Sequence, residues 1–305
     1  MIELSLGNHF INNKGELMTF GDSEYNTTGM GYDAKHDLIT PERIMQNMKL
    51  VNSSNRIHLA VNNNGDLYSW AAFRYDYLLG RIVQYSGSPN NAHKLPGKVH
   101  NIEPIKYVGK PGRFDFIVVG ESGRAYGAGK NYLSTLALGY QNVSYGNTDN
   151  RVKELQEVAK GVRWKKIDFV DISGVVGISE DDYAYFWGGS ENADGSKKFI
   201  NANSFIVHED EYKKEYTIYK KNGNAVKISS VVHTPLLISN ERVKKVMYNP
   251  SRGLFVLLTL DGRLLTKGAN PMYDIPENID VVKSGIKKDM AYSERKMSRR
   301  MLFDD

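Results

Sequence analysis

One phrase recurs along this chain and limits its possible folds more than any other feature. It consists of a short apolar strand, a polar turn usually centred on glycine, an alternating second strand and a closing aromatic. It reads FINNKGELMTFG around Gly15, LAVNNNGDLYSW around Gly65, FIVVGESGRAYGAG around Gly123, and VVGISEDDYAYFWG with Asp182 at the turn. Further copies are TIYKKNGNAVKIS around Gly223, FVLLTLDGRLLTKG around Gly262, and MAYSERKMSRRMLF with Lys296 where glycine is expected. Asn-Gly, Asp-Gly and Ser-Gly supply the positive φ that tight hairpin turns need. The arms alternate with period two, as in Leu67, Tyr68, Ser69 and Trp70, so one face points inward. A single hairpin of this kind is marginal in water. Stacked hairpins bury one another's faces, which gives the repetition a physical reason, and Phe20, Trp70 and Trp187 are expected to wedge between neighbouring sheets.

The turns lie about 35 to 60 residues apart, near the length of a four-stranded propeller blade. A sandwich has no need of the same hairpin so many times, and parallel sheets require long helices between strands. Only one or two short helices are suggested, for instance over NRVKELQEVAKGV at 150–162. The expected fold is therefore all-β, a seven-bladed β-propeller forming a single domain over residues 1–305, with long loops near 81–100 and 189–216. Six blades are the alternative, because the Lys296 copy is so degraded.

The first unit continues as GDSEYNTTGMG, which sets Gly21, Tyr25, Gly29 and Gly31 in a Gly-x-x-x-Tyr-x-x-x-Gly-x-Gly frame, and it closes with TPERI at Thr40 to Ile44. The third unit, GKNYLSTLALG, keeps Gly129, Asn131, Leu138 and Gly139; the second keeps Tyr75 and LLG but has Ala71 where glycine is expected. TPERI is echoed by LPGKV, TPLLI and IPENI. The pattern resembles the repeat of the regulator of chromosome condensation family, whose units read as hairpin, Trp-Gly, Tyr-Gly-Gln-Leu-Gly-x-Gly and a Pro-containing strand. The resemblance covers most of the chain and is strongest in the first unit, while the family's His-x-Leu-Ala-Leu opening is degraded. It implies a ring closed by pairing of the N- and C-terminal segments, which would remove exposed edge strands. A chain that starts and stops in mid-unit fits such closure.

Little in the sequence points to catalysis. YGAGKN at Tyr126 to Asn131 is not a phosphate-binding loop, since Arg124 takes the place of the required glycine and Asn131 that of the required Ser or Thr. It reads as a blade turn. The histidines (His9, His36, His58, His93, His100, His208 and His233) include no pair at the helical spacing of a zinc protease. SEDD at Ser179 to Asp182 falls at a turn, where carboxylates stay solvated, and no Gly-x-Ser-x-Gly elbow occurs. The absence of cysteine excludes disulfides, thiol catalysis and thiolate zinc sites. The expectation is a non-enzyme without cofactor or metal.

Insertions in repeat rings gather on one face and often bind partners. The candidate partner-binding residues are Tyr85, His93 and Lys94 in the first long loop, and Phe199, Phe205 and Tyr212 in the second; aromatics dominate interface hot spots. The net charge of +5 is mild and basic residues are mixed with acidic ones, so nucleic acid is not an expected partner. The basic stretch from Lys283 to Met301 reads as an exposed strand face. The N-terminus MIELSLGNHF lacks the features of a signal peptide, and LFVLLTL is too short to span a bilayer. The expected function is a non-enzymatic protein-interaction or scaffold propeller, cytoplasmic or, on the Asn-, Lys- and Tyr-rich composition, a bacteriophage virion component. The alternative is a regulator or inhibitor that binds a soluble enzyme or a small GTPase.

Overall fold

Folding of this chain is specified first at its turns. In the computed structural model Gly15, Gly65, Gly123 and Gly262 have φ of 72°, 86°, 82° and 90°, and Asp182 takes 69° at the corresponding place. The amide of each donates to the carbonyl three residues back, at 3.0 Å for Gly15 to Asn12, 3.0 Å for Gly65 to Asn62, 2.9 Å for Gly123 to Gly120, 3.0 Å for Asp182 to Ser179 and 3.1 Å for Gly262 to Thr259. This is a type I turn followed by one left-handed residue. Side chains reinforce it: Asn12 Oδ1 accepts from the Lys14 and Glu16 amides at 2.9 and 3.1 Å, and Asn62 Oδ1 from the Asn64 and Asp66 amides at 3.0 and 2.9 Å. Aspartate is among the few residues with a Cβ that visit the left-handed region readily, so Asp182 can stand where the others have glycine.

The structure describes residues 3–4, 8–21, 28–30, 38–54, 56–71, 78–83, 93–131, 133–139, 151–170, 174–188, 204–210, 215–220, 225–229, 232–249 and 254–268. Three antiparallel four-stranded sheets follow one another, each built from consecutive strands. The first holds β1 (Glu3–Leu4), β2 (His9–Ile11), β3 (Leu17–Gly21) and β4 (Leu38–Met45). The second holds β5 (Met48–Ser53), β6 (Ile57–Asn62), β7 (Leu67–Ala71) and β8 (Gly97–Lys98). The third holds β9 (Ile105–Val108), β10 (Asp115–Gly120), β11 (Ala125–Gly129) and β12 (Val152–Val158). A fourth begins with β13 (Trp164–Phe169), β14 (Gly174–Ser179) and β15 (Tyr183–Gly188). Next come β16 (Ser204–Asp210), β17 (Glu215–Lys220) and β18 (Ala225–Ser229), which form a separate three-stranded sheet. The long β19 (Val232–Asn249) follows, then β20 (Leu254–Thr259) and β21 (Leu264–Gly268). The first part of β19 pairs with β15, completing the fourth sheet, and its second part, from Val243, pairs with β20 and opens a fifth.

One hydrogen bond joins every pair of successive sheets. The carbonyl of the left-handed turn residue accepts the amide that starts the next sheet's first strand: Gly15 from Met48 at 2.9 Å, Gly65 from Ile105 at 2.9 Å, Gly123 from Trp164 at 2.8 Å and Asp182 from Val243 at 2.6 Å. First strands also meet along the series, β1 against β5, β5 against β9 and β9 against β13, so they form the inner wall. The outer strands β4 and β12 mix exposed and half-buried residues. This is the order of a β-propeller, all-β as the repeats predict.

Alternation explains why the middle strands are buried throughout. On β10, Phe116 and Val118 pack with Ile57, Leu59 and Val61 of the second sheet, whereas Ile117 and Val119 pack with Trp164 and Trp187 of the fourth. Each middle strand thus lends its two faces to two cores. Trp70 and Trp187 act as the predicted wedges. Gly29, between β3 and β4, lies against Trp70, where an added Cβ would come within 3.1 Å of the indole nitrogen, and Trp187 Nε1 donates to the carbonyl of Thr135, between β11 and β12, at 2.8 Å. Phe20 does not follow them, being 40% exposed.

Three expectations change. Residues 152–158, inside the expected helix, form the edge strand β12. Their apolar residues Val152, Leu155 and Val158, spaced by three, suit a helical face, and a register shift against β11, where Gly127 faces Gln156 and Gly129 faces Val152, accommodates them in a strand. The Gly223 copy stands outside the blade series, because the frame passes from Asp182 straight to Val243 and, among the described residues, β16 to β18 pair only with each other. The span read as a loop at 189–216 contains β16 and the start of β17, and that at 81–100 contains β8. The Lys296 copy and the C-terminal half of the expected ring closure lie outside the described residues; the first sheet draws its four described strands from residues 3–45.

Candidate functional site

The inner wall carries a second recurrence, an apolar residue followed by lysine, in four of its strands: Met48-Lys49 in β5, Ile105-Lys106 in β9, Trp164-Lys165 in β13 and Val243-Lys244 in β19. In all four strands the pairing register shifts across that lysine, between Met48 and Leu50, Ile105 and Tyr107, Trp164 and Lys166, and Val243 and Lys245. A bulge leaves one residue unpaired and re-aims its side chain. Two of these lysines are neutralised at neighbouring turns. Lys106 Nζ lies 2.7 Å from Glu180, and Lys165 pairs with Asp182, which also receives Arg242 at 3.1 Å.

Beyond the bulges, β9, β13 and β19, with β14 and β20, line an open cavity of about 430 Å³. Tyr107, Lys166, Asp168, Lys244 and Lys245 line it, with Val176 and Leu258 among its apolar walls. Asp168 bridges two sheets: the Tyr107 hydroxyl donates to its carboxylate oxygens at 3.0 and 2.9 Å, and the Lys110 amide donates to Oδ1 at 3.0 Å. Burial pushes its pKa up against those donors. Gly109 makes the approach possible, since an added Cβ would sit 1.8 Å from Ile167 O.

Other titratable groups are built into the frame. His9 and His58 lie with ring centroids 4.9 Å apart, and His58 stacks on Trp70 at 5.5 Å. Burial pulls the His9 imidazole down to about 4 and that of His58 well below the usual range. Asp115, pushed up to about 7 by burial, accepts from the Asn131 amide at 2.6 Å and the Thr135 hydroxyl at 2.9 Å. Asn131 is thereby fixed as a buried turn residue with φ of 53°, in keeping with the reading of YGAGKN. Lys130, Arg56 and Arg113 surround the Phe114 ring at 4.3, 4.9 and 5.3 Å. Among the described residues no group of three or more His, Cys, Asp or Glu is placed to hold a metal ion. No described helix is long and apolar enough to cross a membrane.

Of the sequence-predicted contact residues, His93 and Lys94 are buried, 7% and 5% exposed, and the His93 carbonyl accepts the Ala71 amide at 2.9 Å. Phe205 lies in β16. Tyr85, Phe199 and Tyr212 lie outside the described residues. The inner-wall lysines were not among the predicted site residues, although the repeated apolar-Lys pair was visible in the sequence.

No protein-family model matches the chain, and no curated protein matches it. Among solved structures it is similar to human WBSCR16, at 14% identity over 78% of this chain and 66% of that one, with a TM-score of 0.47. It is similar to yeast RCC1 (Prp20) in a crystal with Kap60, at 15% identity over 88% and 69% of the two chains, TM-score 0.48. It is also similar to Kluyveromyces lactis Hsv2p, at 8% identity over 91% and 76%, TM-score 0.34. The chain spans about two thirds of the length of the WBSCR16 chain. The family whose repeat the first unit resembles is represented here by yeast RCC1.

Proposed function

We propose that this protein is a non-enzymatic interaction propeller whose sheets form a fixed frame and whose insertion between β15 and β19 meets a protein partner. One observation carries the reading. Asp182 O accepts the Val243 amide at 2.6 Å, the same bond that joins every other described pair of sheets, although the intervening chain contains a complete three-stranded sheet. The frame makes no use of β16 to β18, and material that a repeat fold does not need is where binding is commonly carried. Phe205 belongs to this insertion, as do Phe199 and Tyr212; Tyr85, His93 and Lys94 belong to a second excursion, in the second sheet.

Gly188 and Val232 are direct cross-strand partners, so a short Gly-Ser turn can replace residues 189–231 without stretching the sheet. The shortened protein is expected to keep the urea midpoint of the full chain and to lose capture of its partner in cross-linking pull-downs from host lysate. Sedimentation of the captured material separates a large assembly, such as a phage particle, from a soluble enzyme. Undiminished capture by the shortened chain would refute the assignment.

A further inference from the structure

We infer that the inner-wall cavity between the third and fifth sheets is a binding site for a small organic anion carrying two or more negative charges. This goes beyond the interaction reading and does not depend on it. The cavity, about 430 Å³, falls in the size range of small-molecule sites and combines apolar walls with a few polar groups. Its charge is one-sided. Lys166, Lys244 and Lys245 line it, and none of the three has an ion-pair partner among the described residues.

The acid in the same lining, Asp168, is already engaged. Its oxygens take the Tyr107 hydroxyl and the Lys110 amide, which fasten β9 to β13, and burial raises its pKa. Three ammonium groups around one hollow repel one another, and a dianion relieves that repulsion while gaining charge-assisted hydrogen bonds.

Two comparisons within the molecule sharpen the assignment. An unbulged strand points successive side chains to opposite faces. The register shift between Val243 and Lys245 lets two consecutive lysines line one cavity. At the position that follows the bulge, the second and third sheets have Leu50 and Tyr107, where the fourth and fifth have Lys166 and Lys245. The positive charge is therefore gathered on one side of the inner wall. Lys106 and Lys165, at the bulges of the third and fourth sheets, are paired with Glu180 and Asp182.

The test uses the full chain, with citrate and inorganic pyrophosphate as separate probes and neutral succinamide as control, read by calorimetric titration and thermal unfolding. Saturable one-to-one binding of citrate or pyrophosphate is expected, with a raised melting temperature and no effect of succinamide. Response to citrate alone identifies a di- or tricarboxylic acid, to pyrophosphate alone an organic phosphate, and to both a site that reads charge. Lys166→Met and Lys245→Met should each weaken binding by about tenfold. Lys153→Met, on the exposed outer strand β12, should leave it unchanged. Without ligand, the Lys166→Met/Lys245→Met double variant should melt no lower than the parent, because it removes repulsion. Lack of binding by both anions, equal loss in the Lys153 variant, or full binding by the double variant would overturn the assignment.

Discussion

Replacing Gly65 by alanine places one methyl group at the junction between the second and third sheets. The new Cβ would stand 2.5 Å from Pro104 Cβ, 3.0 Å from Pro104 Cα and 3.2 Å from the Ile105 amide nitrogen. That amide makes the junction hydrogen bond to Gly65 O at 2.9 Å. A proline ring and main-chain atoms cannot rotate aside, so the third sheet must shift. Gly262 is the internal control: its φ of 90° is close to the 86° of Gly65, and among the described residues nothing lies within 4 Å of its added Cβ. Both substitutions carry the left-handed backbone cost, about 1 kcal/mol. Only Gly65→Ala adds overpacking, about 1 to 3 kcal/mol. The expected losses are thus about 1 kcal/mol for Gly262→Ala and about 2 to 4 kcal/mol for Gly65→Ala. Urea unfolding followed by fluorescence of the buried Trp70, Trp164 and Trp187 reads both. Pro104→Gly, which removes the nearest atom, should return part of the difference. Equal losses at Gly65 and Gly262 would refute the idea that the turns lock one sheet to the next.

Three further expectations follow from the core. His9 and His58 are held neutral by burial, with folded pKa values below the unfolded 6.5, so their contribution is intact above pH 6.5 and is lost as pH falls toward 4. For His9 the full loss is about 3 kcal/mol. Asp115 opposes this, since its pKa of about 7 means that the folded state gains protons, and stability, on the same descent. The measurement is therefore a difference: between pH 6.5 and 4 the urea midpoint of His58→Phe should fall less than that of the parent. Phenylalanine suits the site because Phe116 holds the corresponding place opposite Ala128, as His58 does opposite Trp70. Trp187→Ala should cost about 3 to 5 kcal/mol by chemical denaturation, and Trp187→Phe less, since it loses mainly the Thr135 bond. Tyr107→Phe removes the hydroxyl donor to Asp168 and should cost about 1 to 2 kcal/mol; an unchanged midpoint would show that Asp168 does not clasp the two sheets.

The turns and wedges were legible because their signals are short-range. An Asn-Gly or Asp-Gly step declares its φ within four residues, and the observed turns at Gly15, Gly65, Gly123 and Gly262 share one conformation. Trp70 and Trp187 end arms five residues after such turns and are buried as expected, whereas Phe20, at the same place after Gly15, is exposed, so arm length alone does not fix the wedge. The edge strand at 152–158 was not legible, since three apolar residues spaced by three suit a helix, and only the register shift in the pairing with β11 accommodates them in a strand. His93 and Lys94 were expected to contact a partner from the first long loop, yet both are buried and the His93 carbonyl accepts the Ala71 amide.

By itself the amino-acid order determined that the chain is all-β, that its hairpins are alike, and where they turn, because each of those properties is settled among residues a few positions apart. Tertiary structure alone decided which hairpins are neighbours. It passed over the Gly223 copy to join Asp182 to Val243, and it brought Tyr107, Lys166, Asp168 and Lys245 from three sheets to one cavity. Such adjacency depends on which buried faces fit against each other once stacked, and that information is distributed over residues far apart in the chain.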